Sequence, residues 1–413
     1  MSARGWLPAM CPVAALLVAQ AVVATAAASD AVERQELQTA ANDLEQRLVR
    51  CGCTYGHADL DAYLQGIAER LLATDPTPPP GPVRVRALKS PEANAFALPN
   101  GAVFINTALL QSLDSEAQVA TVLGHELTHF TRSHALEESN NAQHASVWTH
   151  AIALVFAAGL AAISRDPQVA AAAADLSSKS ADLWYLTTVS GYSQRLEREA
   201  DTEGLRRMVA AGYDPSEGIV AFERLAAATH DEGKEHKPFF ASHPRLTERI
   251  ASYRQLVGGE YASAVGAGRS IGREEYLEHT TGLALDQAEI LLAAKQYERA
   301  DTLVTAELDR DETARARFLQ GEIARRHLRT ADGENRALTA YQRAAELPDP
   351  PADALRQAAL IHRRLGDEEA ARREFQRYLE LAPNADDAPL VRAYLGEAAL
   401  PAAGSAPLPE KLP

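Results

Sequence analysis

Apolar residues recur at spacings of three and four along much of this 413-residue chain, which predicts a largely helical protein. In residues 30–73 the periodic positions include Leu44 and Ile67. Residues 283–400 repeat the pattern in several shorter segments. We therefore expect a mostly α fold, in which any β-structure is a minor part.

The helical pattern is interrupted at residues 76–82, which are rich in proline. Apolar and polar positions then alternate through residues 83–88, as in a half-buried strand. Residues 96–104 surround the turn signal Pro-Asn-Gly and predict a pair of strands. The N-terminal domain is therefore expected to be α+β, with a small sheet beside the helix that follows.

That following helix is predicted from residue 115, with a buried face at Val119, Val122, Leu123 and Leu127. Asp114 or Ser115 can cap its first turn. Gly124 is unusual inside a helix, because glycine there costs about 1 kcal/mol relative to alanine. We interpret it as a point where another backbone approaches closely.

The same helix carries the sequence His-Glu-Leu-Thr-His at residues 125–129. His125 and His129 are four residues apart, so they face one side of the helix and can bind one metal ion. Glu126 lies beside the first histidine and can act as a base toward water. The pattern is short, and the alternative is a helix with two solvated or core histidines.

A second predicted helix, further along the chain, is dense in carboxylates. Glu197 and Asp201 are four residues apart and share a face, so one can bind a metal while the other holds an imidazole N–H. Glu199 points away and is interpreted as solvated, or paired with Arg195 or Arg198. The alternative is that the whole carboxylate-rich face is solvated.

Taken together, these motifs resemble those of a known family. The His-Glu-Leu-Thr-His motif followed by residues 195–201 is similar to the HExxH and ExxxD motifs of gluzincin metallopeptidases of the Ste-type CAAX-protease, HtpX and BepA family. Further similar segments are residues 94–105, residues 211–215, and residues 242–244 with Arg249 and Ile250. The resemblance covers about residues 30–255, and Asn100 stands where the family more often has glycine.

The resemblance implies a zinc metalloendopeptidase with one Zn²⁺ per chain. It implies His125, His129 and Glu197 as ligands, Glu126 as the general base, and Asp201 as a catalytic-site partner of an imidazole N–H. Three protein ligands leave one position for water. Glu126 would then take a proton from that water as it attacks the peptide carbonyl.

His243, in a Ser-His-Pro segment, is a further catalytic and metal-site candidate. The resemblance implies that it is a fourth ligand that represses the resting site and a hydrogen-bond donor when the site opens. The alternative is a buried histidine in a capped turn. No spacing distinguishes the other histidines considered, which we interpret as surface or linker residues: His134, His144, His150, His230 and His236.

Residues 1–28 predict a cleaved secretory signal peptide, and hence a periplasmic protein, with an uncleaved anchor as the alternative. The net charge of −15 argues against nucleic acid as a partner and allows at most peripheral membrane contact. Cys51 and Cys53 are expected either to oxidise, together or with partners, or to remain reduced.

Residues 146–164 are strongly apolar and approach the ~20 residues that span a bilayer. A single span would place Glu197 on the opposite side of the membrane from His129. We therefore interpret the segment as a buried helical hairpin with residues 169–176, packed over the site or leaning on a membrane surface.

Glycines after residue 257 indicate a linker over residues 258–282. Ala337 and Ala371 are 34 residues apart, the period of the tetratricopeptide repeat (TPR). Residues 283–400 are therefore predicted to be an all-α TPR solenoid, which resembles the C-terminal region of BepA-type proteases. Residues 401–413 are predicted to be disordered.

The expected function is that of a periplasmic zinc endopeptidase, with its peptidase domain at residues 29–257. It would cleave misfolded or stalled envelope proteins, and the repeats would present them or dock to outer-membrane assembly machinery. The alternative is a TPR chaperone or scaffold for outer-membrane assembly, in which the metal site is largely repressed. The intact HExxH and ExxxD motifs favour the enzyme.

Overall fold

The computed structural model of the chain describes residues 12–141, 192–230 and 246–396. The chain divides into two compact units, Met1–Thr281 and Gly282–Pro413. The predictions for His243, residues 146–164, residues 169–176 and the C-terminal tail fall outside the described residues.

The first unit begins with helices α1 (Pro12–Arg50) and α2 (Ala58–Leu72). α2 buries the apolar face that the periodicity predicted, including Ile67, and packs against the sheet. Between the two helices, Cys51 and Cys53 are joined by a disulfide. Within the described residues, no helix combines the length and apolar character needed to cross a membrane.

The predicted strands form one three-stranded sheet. Its strands are β1 (Arg84–Leu88), β2 (Ala95–Ala97) and β3 (Ala102–Asn106), in the order β1-β3-β2. β1 is parallel to β3, and β2 is antiparallel to it. The turn between β2 and β3 requires Gly101, because φ is +84° and a Cβ there would collide with the carbonyl of Pro82.

After the short helix α3 (Thr107–Ser112), helix α4 (Glu116–Thr131) carries the His-Glu-Leu-Thr-His sequence. Ser115 caps it, since its Oγ accepts a hydrogen bond from the Gln118 backbone N–H at 3.3 Å. α4 is buried from Glu116 to Phe130. A helix buried on every side is a central element of its domain rather than a surface helix.

Three later helices of the first unit pack against α4: α5 (His134–Asn141), α6 (Gln194–Ala210) and α7 (Ser216–His230). A fourth, α8 (Leu246–Gly258), packs against α6 and α7. α6 makes the closest contact, and it crosses α4 where Gly124 faces Gly204. A Cβ on Gly124 would lie 2.9 Å from the Gly204 carbonyl oxygen. The close backbone approach expected at Gly124 is therefore confirmed, and it brings α6 within reach of the two histidines.

The residues predicted as a linker lie within the first unit as far as Thr281. They include a 3₁₀ turn (Ala262–Ala264) and helix α9 (Arg273–His279). Tyr276 is buried, and its hydroxyl donates a hydrogen bond to the Leu110 carbonyl oxygen. Part of this segment therefore packs on the first unit.

The second unit, in its described part, is helical. Its helices are α10 (Leu283–Ala293), α11 (Tyr297–Arg310), α12 (Ala314–His327), α13 (Ala331–Glu346), α14 (Ala352–Leu365), α15 (Glu368–Leu381) and α16 (Ala388–Leu395). Ala337, Ala371 and Phe375 are all buried between neighbouring helices. The predicted fold class, mostly α with a small sheet followed by a helical C-terminal region, is confirmed.

Candidate metal centre

Helices α4 and α6 bring three side chains together inside the first unit. The Nε2 atoms of His125 and His129 are 3.0 Å apart. Glu197 Oε2 lies 3.5 Å from His125 Nε2, and Glu197 Oε1 lies 3.5 Å from His129 Nε2. All three residues are at most 4% exposed. The sequence motifs on two separate helices therefore converge on one point.

These three residues fit a divalent transition metal. Their ligand atoms all lie within 4.8 Å of one another. A tetrahedral zinc ion with bonds of ~2.1 Å places neighbouring ligand atoms about 3.4 Å apart, close to the separations found here. Buried nitrogen lone pairs and a carboxylate that face one another also need a cation or a proton between them. The donor set of two imidazoles and one carboxylate suits zinc.

Asp201 contacts His125 on the side of the imidazole ring that faces away from Glu197. His125 Nδ1 lies 2.9 Å from Asp201 Oδ1, in a pocket where both side chains are buried. Because an ionised carboxylate only accepts hydrogen bonds, the proton belongs to Nδ1. His125 Nε2 is then free of its proton and can bind a metal. Asp201 thus lies at hydrogen-bond distance from an imidazole nitrogen of His125, which its predicted role requires.

Arg249 on α8 completes this arrangement. Its Nη2 donates to Asp201 Oδ1 at 2.6 Å, and its Nε donates to Asp201 Oδ2 at 3.0 Å. The guanidinium also lies over the Phe222 ring, 4.5 Å from its centroid. Burial alone would raise the pKa of Asp201, but the charge of Arg249 and the bond from His125 lower it to about 2. Asp201 is therefore ionised at neutral pH.

Sequence reasoning missed the role of Arg249. The residue was noted only as part of a segment that resembles the family pattern. Its partner Asp201 is 48 residues earlier in the chain, and no local pattern connects the two. Arg249 stands in a segment that resembles the family pattern, but its contact with Asp201 depends on how α8 packs against α6.

His134 was interpreted as a surface or linker residue, and this was wrong. It is 1% exposed, and its Nδ1 lies 2.9 Å from His129 Nδ1. α4 ends at Thr131, and the turn through Ser133, with φ at +56°, starts α5 at His134. That reversal brings His134 back beside the metal site. Burial and the electrostatic interaction with the neighbouring His125 lower the pKa of His134 to about 4.

The ring of Tyr192 stacks on His129, with ring centroids 4.0 Å apart and planes inclined by 17°. Burial and the neighbouring charges of Glu126 and Glu197 raise the pKa of the Tyr192 phenol well above its usual value. Glu126 itself is 1% exposed. The Tyr192 hydroxyl therefore keeps its proton beside the two carboxylates.

A cleft of about 250 Å³ adjoins His129. Its walls come from α1, the end of β2, the end of α4 and the start of α5, and they include Leu37, Leu98, Phe130, Leu136 and Tyr192. Among the described residues, β2 is an edge strand of the sheet. The candidate site thus adjoins a recess beside a sheet edge, and both polar and apolar side chains line that recess.

Glu199 agrees with its interpretation as a residue outside the metal site. It is partly exposed, and Arg195 Nη1 donates to its Oε2 at 3.3 Å. Its Oε2 also lies 3.8 Å from His134 Nε2. His144, His150, His236 and His243 fall outside the described residues, as does the side chain of His230.

The His-His-Glu centre is of the kind found in metallopeptidases. Residues 58–257 match the family model described as Peptidase family M48. Residues 58–257 are therefore similar to a peptidase family M48 domain, which agrees with the family resemblance found in the motifs.

Curated relatives match 40–42% of the chain. Mitochondrial metalloendopeptidase OMA1 of Schizosaccharomyces pombe is 32% identical over 168 residues, covering 40% of this chain and 44% of the relative. The protein of the same name from Arabidopsis thaliana is 28% identical, in a match that covers 42% of this chain and 34% of the relative. Beta-barrel assembly-enhancing protease of Escherichia coli K12 is 26% identical and covers 40% and 33%. The chain thus spans less than half the length of each of these relatives.

Proposed function

We propose that this protein is a zinc-dependent endopeptidase. The observation that carries the proposal is the convergence of His125, His129 and Glu197 in a buried pocket. A bound zinc ion would supply Lewis-acid polarisation of the peptide carbonyl and a lowered pKa for water. The cleft beside His129, which adjoins the edge strand β2, supports an extended polypeptide as the substrate.

The chain's own residues then have separate roles. Glu126 accepts a proton from the attacking water and passes it to the departing amine nitrogen. Asp201 holds the proton of His125 on Nδ1, and Arg249 keeps Asp201 ionised. The outer edge of β2 binds the substrate backbone as an added strand.

We further propose that the substrates are misfolded or stalled envelope proteins in the periplasm. The name of the E. coli relative, beta-barrel assembly-enhancing protease, supports this assignment. Other relatives are named as mitochondrial, so the apolar segment at residues 12–28, with its small residues before Ser29, is what favours export.

The second unit would serve as the client-binding or docking part. Its helices bury Ala337, Tyr341 and Ala344 in one cluster and Phe375 and Tyr378 in the next. These are positions at which a tetratricopeptide repeat has small and aromatic residues. Such repeats form concave protein-binding surfaces, which suits substrate presentation or contact with outer-membrane assembly machinery.

The decisive experiment compares the full-length wild type with Glu126→Gln. We expect both to bind zinc, while Glu126→Gln cleaves casein about 10²- to 10⁴-fold more slowly. Glu278→Gln, at an exposed position on α9, is the matched control and should behave like the wild type. Equal cleavage by wild type and Glu126→Gln would refute the role of Glu126. A wild type that takes up no zinc would refute the proposed metal site.

A further inference from the structure

We propose that His134 is a positioning residue for the metal centre, which fixes the proton of His129 on Nδ1 as Asp201 fixes that of His125. This inference rests on the proposed function, since it concerns how the same site holds its metal. It assigns a role to a buried histidine that the proposed reaction does not otherwise use.

The metal-binding form of His129 carries its ring proton on Nδ1. Its Nε2 faces His125 and Glu197, so metal binding requires a lone pair there and the single ring proton on Nδ1. His129 Nδ1 lies 2.9 Å from His134 Nδ1, which is hydrogen-bond distance. His134 must then accept this bond, so its own proton is on Nε2.

The far side of the His134 ring faces a carboxylate. Its Nε2 is buried and has no hydrogen-bond partner among the described residues. It faces Glu199 Oε2 at 3.8 Å, and Glu199 lies partly exposed on α6. A carboxylate on this side favours a proton on His134 Nε2 rather than on Nδ1. His129 therefore carries its proton on Nδ1 and His134 carries its proton on Nε2, so that each proton lies on the side of the ring away from the metal.

The two histidines contact different groups on the side away from Glu197. His125 is supported by an ionised carboxylate that is neutralised by Arg249. His129 is supported by an uncharged imidazole and by the stacked ring of Tyr192. Replacing His134 by an apolar side chain would take this acceptor from the buried His129 N–H and favour the tautomer that cannot bind metal.

The test uses full-length His134→Leu, His134→Asn and His134→Gln. Leucine removes the acceptor. The amide of asparagine reaches the place of the imidazole Nδ1, whereas the longer glutamine carries its amide to the place of Nε2. Each variant is titrated with zinc(II) against a chromophoric chelator, and thermal unfolding in excess chelator checks that the metal-free protein is folded.

We expect His134→Leu and His134→Gln to bind zinc about 10- to 100-fold more weakly than wild type, and His134→Asn to remain within about threefold. Equal zinc affinity for all folded variants would overturn the role of His134 and leave the proposed peptidase intact. The same holds if His134→Asn is as weak as His134→Gln. If His134→Leu does not fold, the comparison of zinc affinity between His134→Asn and His134→Gln tests the role of His134. A wild type that binds no zinc would overturn both this inference and the proposed function.

Discussion

Gly124 on α4 and Gly204 on α6 are in backbone contact where the two helices cross. A Cβ on Gly204 would lie 2.8 Å from the backbone nitrogen of His125. Glycine at both positions lets the helices approach so closely that Glu197 reaches the two histidines. Two residues without side chains thus determine the spacing of the metal site.

Gly204→Ala should therefore destabilise the protein and weaken metal binding. The added methyl group has backbone on its far side, and overpacking of this kind costs about 1–3 kcal/mol. Gly66→Ala is the matched control, because Gly66 lies in α2 with nothing within 4 Å of an added Cβ. That change should stabilise by up to about 1 kcal/mol. Chemical denaturation and zinc titration measure both effects, and equal stabilities would contradict the steric argument.

Asp201→Asn should weaken zinc binding by about 10- to 100-fold. Asparagine retains an acceptor for His125 but loses the charge that neutralises Arg249, which is 5% exposed. Leaving a buried guanidinium without its carboxylate should also destabilise the fold by about 3–5 kcal/mol. Asp301→Asn, at an exposed position on α11, is the control. The proposed role of Asp201 would be excluded if Asp201→Asn had the same zinc affinity and the same free energy of unfolding as the wild type.

His243→Ala should raise basal proteolysis several-fold if His243 represses the resting site. Removing a fourth ligand frees a coordination position for water. The measurement is casein cleavage by the full-length protein at saturating zinc, with His57→Ala, at an exposed position, as the control. Lower or unchanged activity would remove the repressing role.

Phe375→Ala should destabilise the second unit by about 3–5 kcal/mol, because Phe375 is 2% exposed in a cluster with Leu355 and Val391. Leu381→Ala, on the same helix but with Leu381 51% exposed, should change the free energy of unfolding by no more than about 0.5 kcal/mol. Denaturant titration of the two full-length variants distinguishes them. Similar losses would mean that burial at Phe375 contributes little.

Local patterns in the sequence predicted much of the fold. Alternation predicted β1, the Pro-Asn-Gly turn predicted the pairing of β2 with β3, and Ser115 proved to be one of the two predicted caps. These features depend on neighbours a few residues away, so they can be recognised in a sequence. The ligand motifs were recognisable for the same reason, since residues four apart share a helix face.

Other features depended on partners far apart in the chain. Arg249 reaches Asp201 from 48 residues away, and nothing local distinguishes it from a solvated arginine. His134 is five residues after His129, a spacing that would turn it away on a continuous helix. Only the break after Thr131 returns its ring to the site.

By itself the sequence determined which residues have metal-binding chemistry, which segments are helices or strands, and which family the motifs resemble. The tertiary structure decided how those residues meet. Helix crossing at Gly124 and Gly204 sets the distance between ligands, and burial beside Arg249 keeps Asp201 ionised. The physical reason is that hydrophobic periodicity is local, whereas desolvation, charge pairing and close backbone contact exist only once distant segments have packed together.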